Sequence, residues 1–325
     1  MKDKILDFLK QNNDYMSGEQ ISNKIGVTRA AVWKGIKKLQ EEGYVIDSRT
    51  KVGYKLIEEP DIVTKSALMP ILKENKLVKE IHYKDELDST NQFAKELARE
   101  GASEGTIVIA DSQTSGKGRL GRTWISPPKT GIWLSLILRP KIKPQYAGEL
   151  TLLSGLCMCE AIHNITGLQT HIKWPNDVVV NGKKVCGILT EMSAEIEMVN
   201  HVVIGVGVNV NQKNFEEELP YATSLNIEGK TTYRRSMIVK EFMDIFEIAY
   251  EKYKESESLV EFLPRYENKC ITLGKEVKII EGGKEIIAKA VRVVENGNLI
   301  VLLPDGQEKQ VYAGEVSVRG LFGYI

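Results

Sequence analysis

Short amphipathic runs alternate with turn residues over positions 1 to 57. Ile5, Leu6, Phe8 and Leu9 gather on one side of a first helix. Ser17 precedes Gln20 by three residues, the spacing of a capping box, and the helix it opens carries Ile21 and Ile25 before the turn Gly26-Val27. Thr28 caps a third helix, where Val32, Ile36 and Leu39 share one buried stripe and Ala30, Lys34, Lys37 and Lys38 point away from it. Gly43 ends that helix. Tyr44-Val45-Ile46 and Tyr54-Lys55-Leu56 flank a polar turn containing Gly53, which reads as a hairpin or wing. The pattern predicts a winged helix-turn-helix over residues 1–60.

Glu58-Glu59-Pro60-Asp61 is acidic and broken by proline, so residues 61–78 read as a linker with a short helix through Leu68, Ile71 and Leu72. From 79 to 268, strands at Thr106–Ala110, Ile132–Leu138 and Val202–Val208 alternate with helices over 146–165 and 236–253, which predicts a mixed α/β domain. Residues 269–325 hold four β-prone runs, near Val277–Ile280, Ile286–Val294, Leu299–Leu303 and Lys309–Tyr312. They are broken by Gly282-Gly283, Asn296-Gly297 and Asp305-Gly306, and hairpin turns at that rate predict a small β-barrel. The fold class expected for the whole chain is α+β.

With 325 residues and 42 % apolar content, the chain can bury cores for two or three domains. Ile132–Leu138 and Val202–Val210 are too short to cross a bilayer, and Lys2, Asp3 and Lys4 replace the apolar core of a signal peptide, so the expected location is cytoplasmic, without a membrane partner. Four cysteines, at 157, 159, 186 and 270, lack the spacing of a zinc site, and no protein-held metal is expected. Forty-four basic residues balance forty-four acidic ones, so contact with nucleic acid needs a local basic patch. The third helix supplies one: Arg29, Ala30, Trp33, Lys34, Lys37 and Lys38 form its candidate DNA face, with no acid between Thr28 and Leu39.

The most informative stretch for chemistry is Ser115-Gly116-Lys117-Gly118-Arg119-Leu120-Gly121-Arg122-Thr123-Trp124. Glycines let backbone amides approach an anion, and Lys117, Arg119 and Arg122 offer charge to carboxylate or phosphate. It lacks the P-loop spacing, and by itself it fits a nucleic-acid contact or a solvated turn equally well. Downstream, Lys173-Trp174-Pro175-Asn176-Asp177 leads into Val178-Val179-Val180, the turn Asn181-Gly182, and Lys183-Lys184-Val185-Cys186-Gly187-Ile188-Leu189. An Asn-Gly turn between apolar runs predicts a hairpin that starts a strand at Lys184 and holds its ammonium at a pocket edge.

These segments, with Asp88-Ser89-Thr90-Asn91 and Gly205-Val206-Gly207-Val208-Asn209, occur in the order and at the spacing of a known family. The chain resembles the biotin protein ligases, of the bifunctional type that also acts as biotin operon repressor, over nearly its whole length. The resemblance implies that biotin is held by Ser89, Thr90, Asn91, Gln113, Lys117, Gly118, Arg119 and Lys184. It implies that Lys173, Asn209 and Arg122 serve the nucleotide, and that 212–224 is an adenylate-binding loop. Lys117 stands where many relatives have arginine, which keeps the charge and loses the bidentate fork.

The implied reaction joins two anions, the biotin carboxylate and the α-phosphate of ATP, so cations must neutralise both. Lys184 and Arg119 are the candidate catalytic residues, with Mg2+ arriving on ATP. Asp177 is the candidate to orient or accept a proton from the acceptor lysine. The implied partners are the biotin carboxyl carrier protein, operator DNA, and a second copy of the chain when the adenylate is bound. Three alternatives stay open: a lipoate-type ligase, a regulator that binds biotin without chemistry, and a ligase with a non-functional DNA-binding module.

Overall fold

Ser17 caps its helix as the spacing predicts: its hydroxyl accepts from the Gln20 amide at 3.2 Å and the Gln20 side chain accepts from the Ser17 amide at 2.8 Å. The computed structural model describes residues 1–325 apart from 42, 218, 282, 283, 313–316, 321–323 and 325; for 3, 281, 284 and 317–320 it describes the backbone alone. The chain divides into two compact units, Met1–Ile62 and Val63–Ile325.

The first unit consists of α1 (Lys2–Gln11), α2 (Gly18–Ile25), α3 (Arg29–Glu41) and an antiparallel hairpin of β1 (Val45–Arg49) and β2 (Gly53–Glu58). Ile5, Leu9, Ile21, Val32, Ile36 and Leu39 form its core, each at most 2 % exposed. Burial on that scale stabilises by roughly 1.5–3 kcal/mol per large apolar side chain. Thr28 accepts from the Ala31 amide at 3.2 Å and so caps α3.

The second unit opens with α4 (Lys65–Ile71) inside the stretch predicted as linker. Val63, Leu68, Leu72 and Leu77 are buried in the main core, and Asn75 Nδ2 donates to the Met243 carbonyl at 2.9 Å. This segment is thereby fixed to the larger unit. There follow β3 (Glu80–Leu87), α5 (Thr90–Arg99), β4 (Thr106–Gln113), β5 (Gly131–Leu138), α6 (Ala147–Thr166), β6 (Thr170–Lys173), β7 (Asp177–Val180), β8 (Lys183–Ala194), β9 (Val199–Asn209), α7 (Leu225–Gly229), α8 (Arg235–Ser256) and α9 (Leu263–Lys269).

Seven strands form one sheet in the order β3-β4-β5-β9-β8-β7-β6, with only β3 and β4 parallel. β5 is buried at every position, as a central strand covered on both faces must be. Its alternation sorts the faces. Ile132, Leu134, Leu136 and Leu138 join the core with α6 and α8, whereas Ile137 joins Ala94 and Ala98 of α5. The small residues of the α5 face, Ser135, Gly187, Gly205 and Gly207, leave room on that face for a site.

The C-terminal region is β-rich: β10 (Glu276–Glu281), β11 (Lys284–Val293), β12 (Leu299–Leu302), β13 (Glu308–Val311) and β14 (Ser317–Gly320). The β-rich character predicted for this region holds. The five strands make an antiparallel sheet in the open order β13-β12-β11-β10-β14, with no pairing that closes it among the described residues. Hairpin turns specify which neighbours pair and say nothing about closure, which depends on strand tilt and shear. Asn296-Gly297 and Asp305-Gly306 are turns, and Gly282-Gly283 lies outside the described residues.

Candidate active site

A cavity lies between the α5 face of the large sheet and the glycine-rich loop 115–124. Ser89, Thr90, Asn91, Gln113, Lys117, Gly118, Arg119 and Lys184, all predicted on the biotin side, line it together with Trp124, Asn176 and backbone of β8 and β9. Its floor depends on missing side chains. A Cβ at Gly187 would stand 2.9 Å from the Trp124 ring, and one at Gly207 2.6 Å from it. Real Cβ atoms do not approach that closely, so the indole lies on the sheet because these two positions carry nothing.

The neutral wall starts at the N-terminus of α5. Ser89 caps the helix by accepting from the Gln92 amide at 3.4 Å. Gln113 Oε1 accepts from the Thr90 amide at 2.8 Å and lies 3.1 Å from its hydroxyl, while Gln113 Nε2 donates to Ser126 at 2.8 Å. Behind them Ser135 Oγ is 2.8 Å from Thr90 Oγ1 and 2.6 Å from Asn91 Oδ1. Thr90 and Asn91 are buried.

The opposite wall is charged. Asn181 at φ 49° and Gly182 at φ 76° make the predicted hairpin turn, and Lys184 follows it on β8. The Lys184 ammonium is 2.5 Å from Asp177 Oδ1 and 5.1 Å from the Trp124 ring centre. Tyr324 donates its hydroxyl to Asp177 Oδ2, and the Lys173 ammonium sits 3.4 Å from the centre of the Tyr324 ring. Burial opposes ionisation of Asp177, but the Lys184 charge and the hydrogen bonds from Lys184 and Tyr324 outweigh it and hold the carboxyl below its usual range. Arg119 donates to Asn176 Oδ1 at 2.8 Å, and burial lowers its pKa.

The predicted nucleotide residues are placed differently. Lys173 and Asn209 are buried beside the cavity without lining it, and Arg122 is exposed on the loop. Asn209 Nδ2 donates to the Thr223 carbonyl at 3.1 Å, and Gln212 Nε2 donates to Asn209 Oδ1 at 3.2 Å. The 212–224 loop is tied to β8 as well: the Lys184 amide donates to the Tyr221 carbonyl at 2.7 Å, and the Thr223 amide donates to the Lys184 carbonyl at 3.0 Å. Lys184 is thus held from both sides.

Sequence reasoning leaves Ser135, Asn176, Glu191 and Tyr324 unassigned. Asn176 stands inside a quoted motif and is the one open to assignment. The others reach the site through sheet pairing or from far along the chain, which no local pattern reveals.

On α3 of the first unit, Arg29, Ala30, Trp33, Lys34, Lys37 and Lys38 are all exposed, with Trp33 at 53 %. Arg29 pairs with Glu19, and Lys34, Lys37 and Lys38 make no ion pair among the described residues. A large exposed indole amid unpaired cations is a surface suited to an anionic polymer.

Three family models match: a biotin/lipoate A/B protein ligase family over residues 83–209, an HTH domain over 2–55, and a biotin protein ligase C-terminal domain over 272–319. The bifunctional ligase/repressor BirA of Bacillus subtilis is 37 % identical over 320 residues, covering 98 % of each chain. The Escherichia coli protein of that name is 29 % identical, covering 96 % of this chain and 95 % of its own. Among solved structures, the biotin protein ligase from Aquifex aeolicus in complex with biotin and ATP superposes with a TM-score of 0.65. It is 34 % identical, covering 74 % of this chain and 99 % of that one. No helix among the described residues is long and apolar enough to cross a membrane. Matched along its whole length by bifunctional ligase/repressors, and with the glycine-rich loop closing over a cavity on the large sheet, the chain belongs to the biotin protein ligase family.

Proposed function

We propose that the protein activates biotin with ATP to biotinyl-5′-AMP and transfers the biotinyl group to a lysine of a biotin carboxyl carrier protein. The observation that carries this reading is one cavity with a neutral hydroxyl and amide wall facing a cationic one. The neutral wall, Ser89, Thr90 and Gln113 above all, suits a buried ureido ring, whose polar groups must all be satisfied. The cationic wall suits a carboxylate meeting a phosphate. In the first step a biotin carboxylate oxygen attacks the α-phosphorus, a P–O bond forms, and the bond to the leaving pyrophosphate breaks. Lys184 and Arg119 stabilise the charge that builds up, Lys117 and Gly118 close over the ligand, and Lys173, Asn209 and Arg122 serve the nucleotide side.

In the second step the acceptor amine attacks the biotinyl carbonyl and AMP leaves. The loop excludes water meanwhile, since a mixed anhydride hydrolyses readily. Asp177 faces the amine as an orienting carboxylate. Mg2+ would arrive on the ATP phosphates and offset the charge of the leaving pyrophosphate.

The same reading makes residues 1–60 a winged helix-turn-helix whose α3 face docks on operator DNA. The remainder divides into 61–78, the catalytic domain 79–268 and the C-terminal domain 269–325, with the barrel as the finer description of the last. The adenylate acts as corepressor by favouring a homodimer, since two modules on a two-fold site gain affinity by effective concentration. The cytoplasm, where acceptor and operator meet, is the matching location. Incubation with ATP, labelled biotin and a carrier domain tests the enzyme: label on the carrier is expected, and its absence with intact, folded protein overturns the reading. Operator binding that is unchanged by biotin and ATP at one fixed salt concentration overturns the corepressor role.

A further inference from the structure

Behind the neutral wall runs a chain of hydrogen bonds. Lys95 Nζ donates to Glu191 Oε1 at 2.7 Å, and Asn91 Nδ2 donates to Glu191 Oε2 at 2.9 Å and to the Leu189 carbonyl at 3.3 Å. Asn91 Oδ1 then faces Ser135 Oγ at 2.6 Å, and Ser135 Oγ is 2.8 Å from Thr90 Oγ1. Ser135 is fully buried, and Asn91 lies so close over β9 that a Cβ at Gly205 would be 2.2 Å from its Oδ1.

The proton positions follow by elimination. A carboxylate and a carbonyl only accept, so the Asn91 amino group must face them and its carbonyl oxygen must face Ser135. That oxygen carries no proton, so the single Ser135 proton points to Asn91. Ser135 can therefore only accept from Thr90. The other neighbour of the Thr90 hydroxyl, Gln113 Oε1 at 3.1 Å, only accepts as well. Ser135 is the nearer of the two, and Gln113 Oε1 already accepts from the Thr90 amide at 2.8 Å, so the Thr90 proton goes to Ser135 and both its lone pairs are left for the cavity; a reversed chain puts the Ser135 proton on Thr90 and turns the Thr90 proton away from Ser135. Glu191 stays an acceptor: burial pushes its pKa up, and the hydrogen bonds from Lys95 and Asn91 with the nearby Lys95 and Lys117 charges bring it below the usual range.

We infer that Glu191 is a positioning residue that sets the hydrogen-bond polarity of the ligand pocket, running through Asn91 and Ser135 to make Thr90 an acceptor that reads a ligand N–H. This rests on the reading of the cavity as a biotin site. It also moves Asn91 from ligand contact to positioning, because both ends of its amide are already engaged inside the protein.

The test is calorimetric titration of full-length protein with biotin alone, alongside steady-state kinetics. In Glu191→Gln the side chain can accept from Lys95 or from Asn91 but no longer from both, so Asn91 is free to flip and the chain loses its direction. Biotin affinity is expected to fall about tenfold, with kcat and the KM for ATP changed less than about threefold. Asn91→Asp alone sets two carboxylates together and should lose more. The double variant Asn91→Asp/Glu191→Gln restores an acceptor to every donor. Lys95 then donates to the amide oxygen introduced at position 191, while the amide nitrogen there and the Ser135 hydroxyl both donate to the carboxylate introduced at position 91. The carboxylate at position 91 cannot replace the bond to the Leu189 carbonyl, so affinity is expected to recover to above that of both singles without fully reaching wild type. Thermal melting of each single variant reports its folding, and rescue by a second substitution shows that polarity, not the loss of either side chain, is what the singles disturb. Wild-type affinity in Glu191→Gln, or a double variant weaker than both singles, overturns the inference. Wild-type protein that binds no biotin overturns the underlying reading instead.

Discussion

The two walls of the cavity hold their polar groups in opposite ways. On the neutral wall Thr90, Gln113, Ser135 and Asn91 bond to one another, and the pocket has its shape and polarity before a ligand arrives. On the charged wall Lys184 is engaged with Asp177 and Arg119 with Asn176, so a phosphate or carboxylate must take these cations from protein partners. The neutral wall is preorganised and contributes affinity by needing no rearrangement. Under the proposed function the charged wall would exchange one partner for another, leaving Asp177 to its hydrogen bond from Tyr324. Substitutions should therefore act mainly on ligand affinity at the first wall and on rate at the second.

The largest effect is expected where both roles meet, at Lys184. Lys184→Ala removes the cation from the reacting phosphate, at a cost of roughly 3 kcal/mol or more in transition-state stabilisation, so pyrophosphate release should fall by two orders of magnitude or more. The same change leaves Asp177 buried without its closest cation, and breaking such a pair costs about 3–5 kcal/mol. Thermal melting must accompany the assay. A stable variant with near-normal pyrophosphate release would make Lys184 a mere partner for Asp177 and dissolve the distinction between the walls.

A buried carboxyl lacking a cation provides the contrast. Glu149 on α6 is 2 % exposed, and its Oε2 has no hydrogen-bond partner among the described residues. Burial pushes its pKa from 4.5 to about 7 against a lowering hydrogen bond from Tyr253, with Glu295 adding a smaller push upward. A carboxyl raised on folding gives its full stabilisation below pH 4.5 and loses it as pH rises through about 7. The loss at pH 8 is at most about 3.4 kcal/mol, at 1.36 kcal/mol per unit. Glu149→Gln should therefore melt progressively higher than wild type as pH rises from 4.5 to 8. A constant difference across that range would show that burial alone does not control this carboxyl, and would weaken the claim that Lys184 is what keeps Asp177 charged.

The elements of the first unit were legible because each announces itself locally. The Ser17-to-Gln20 spacing, the Thr28 cap and the stripe of Val32, Ile36 and Leu39 are short-range patterns whose physics is complete within one turn or two. The Asn181-Gly182 hairpin was legible for the same reason, and with it the strand that carries Lys184. Closure of the C-terminal sheet was not, because it is settled by geometry summed over all strands. The site was half legible. Loop and hairpin motifs brought Lys117, Arg119 and Lys184 forward, whereas Ser135 and Glu191 gain meaning only from the register that sets β5, β9 and β8 side by side. Tyr324 meets Asp177 across 147 residues of sequence, a contact that only tertiary structure can create.

The smallest effect, and the sharpest test of the exchange between partners, is expected at Asp177. Its carboxyl is held below the usual range, so it is a poor acceptor for the proton of an ammonium group with a pKa near 10.4. Its strength is as a fixed negative charge and hydrogen-bond acceptor that can turn the attacking amine toward the carbonyl. Asp177→Asn keeps the shape and one accepting oxygen and loses the charge. Transfer from preformed biotinyl-5′-AMP to the carrier should slow about tenfold, or about 1.4 kcal/mol, while pyrophosphate release changes less than about threefold because Lys184 and Arg119 remain. The pH dependence separates orientation from proton transfer. If Asp177 only orients, the deficit is the same at pH 7 and pH 9. If it takes the proton, the deficit is larger at pH 7 and shrinks toward pH 9, where more of the lysine is already neutral. A transfer rate equal to wild type at both values would remove Asp177 from the second step and leave it as the resting partner of Lys184.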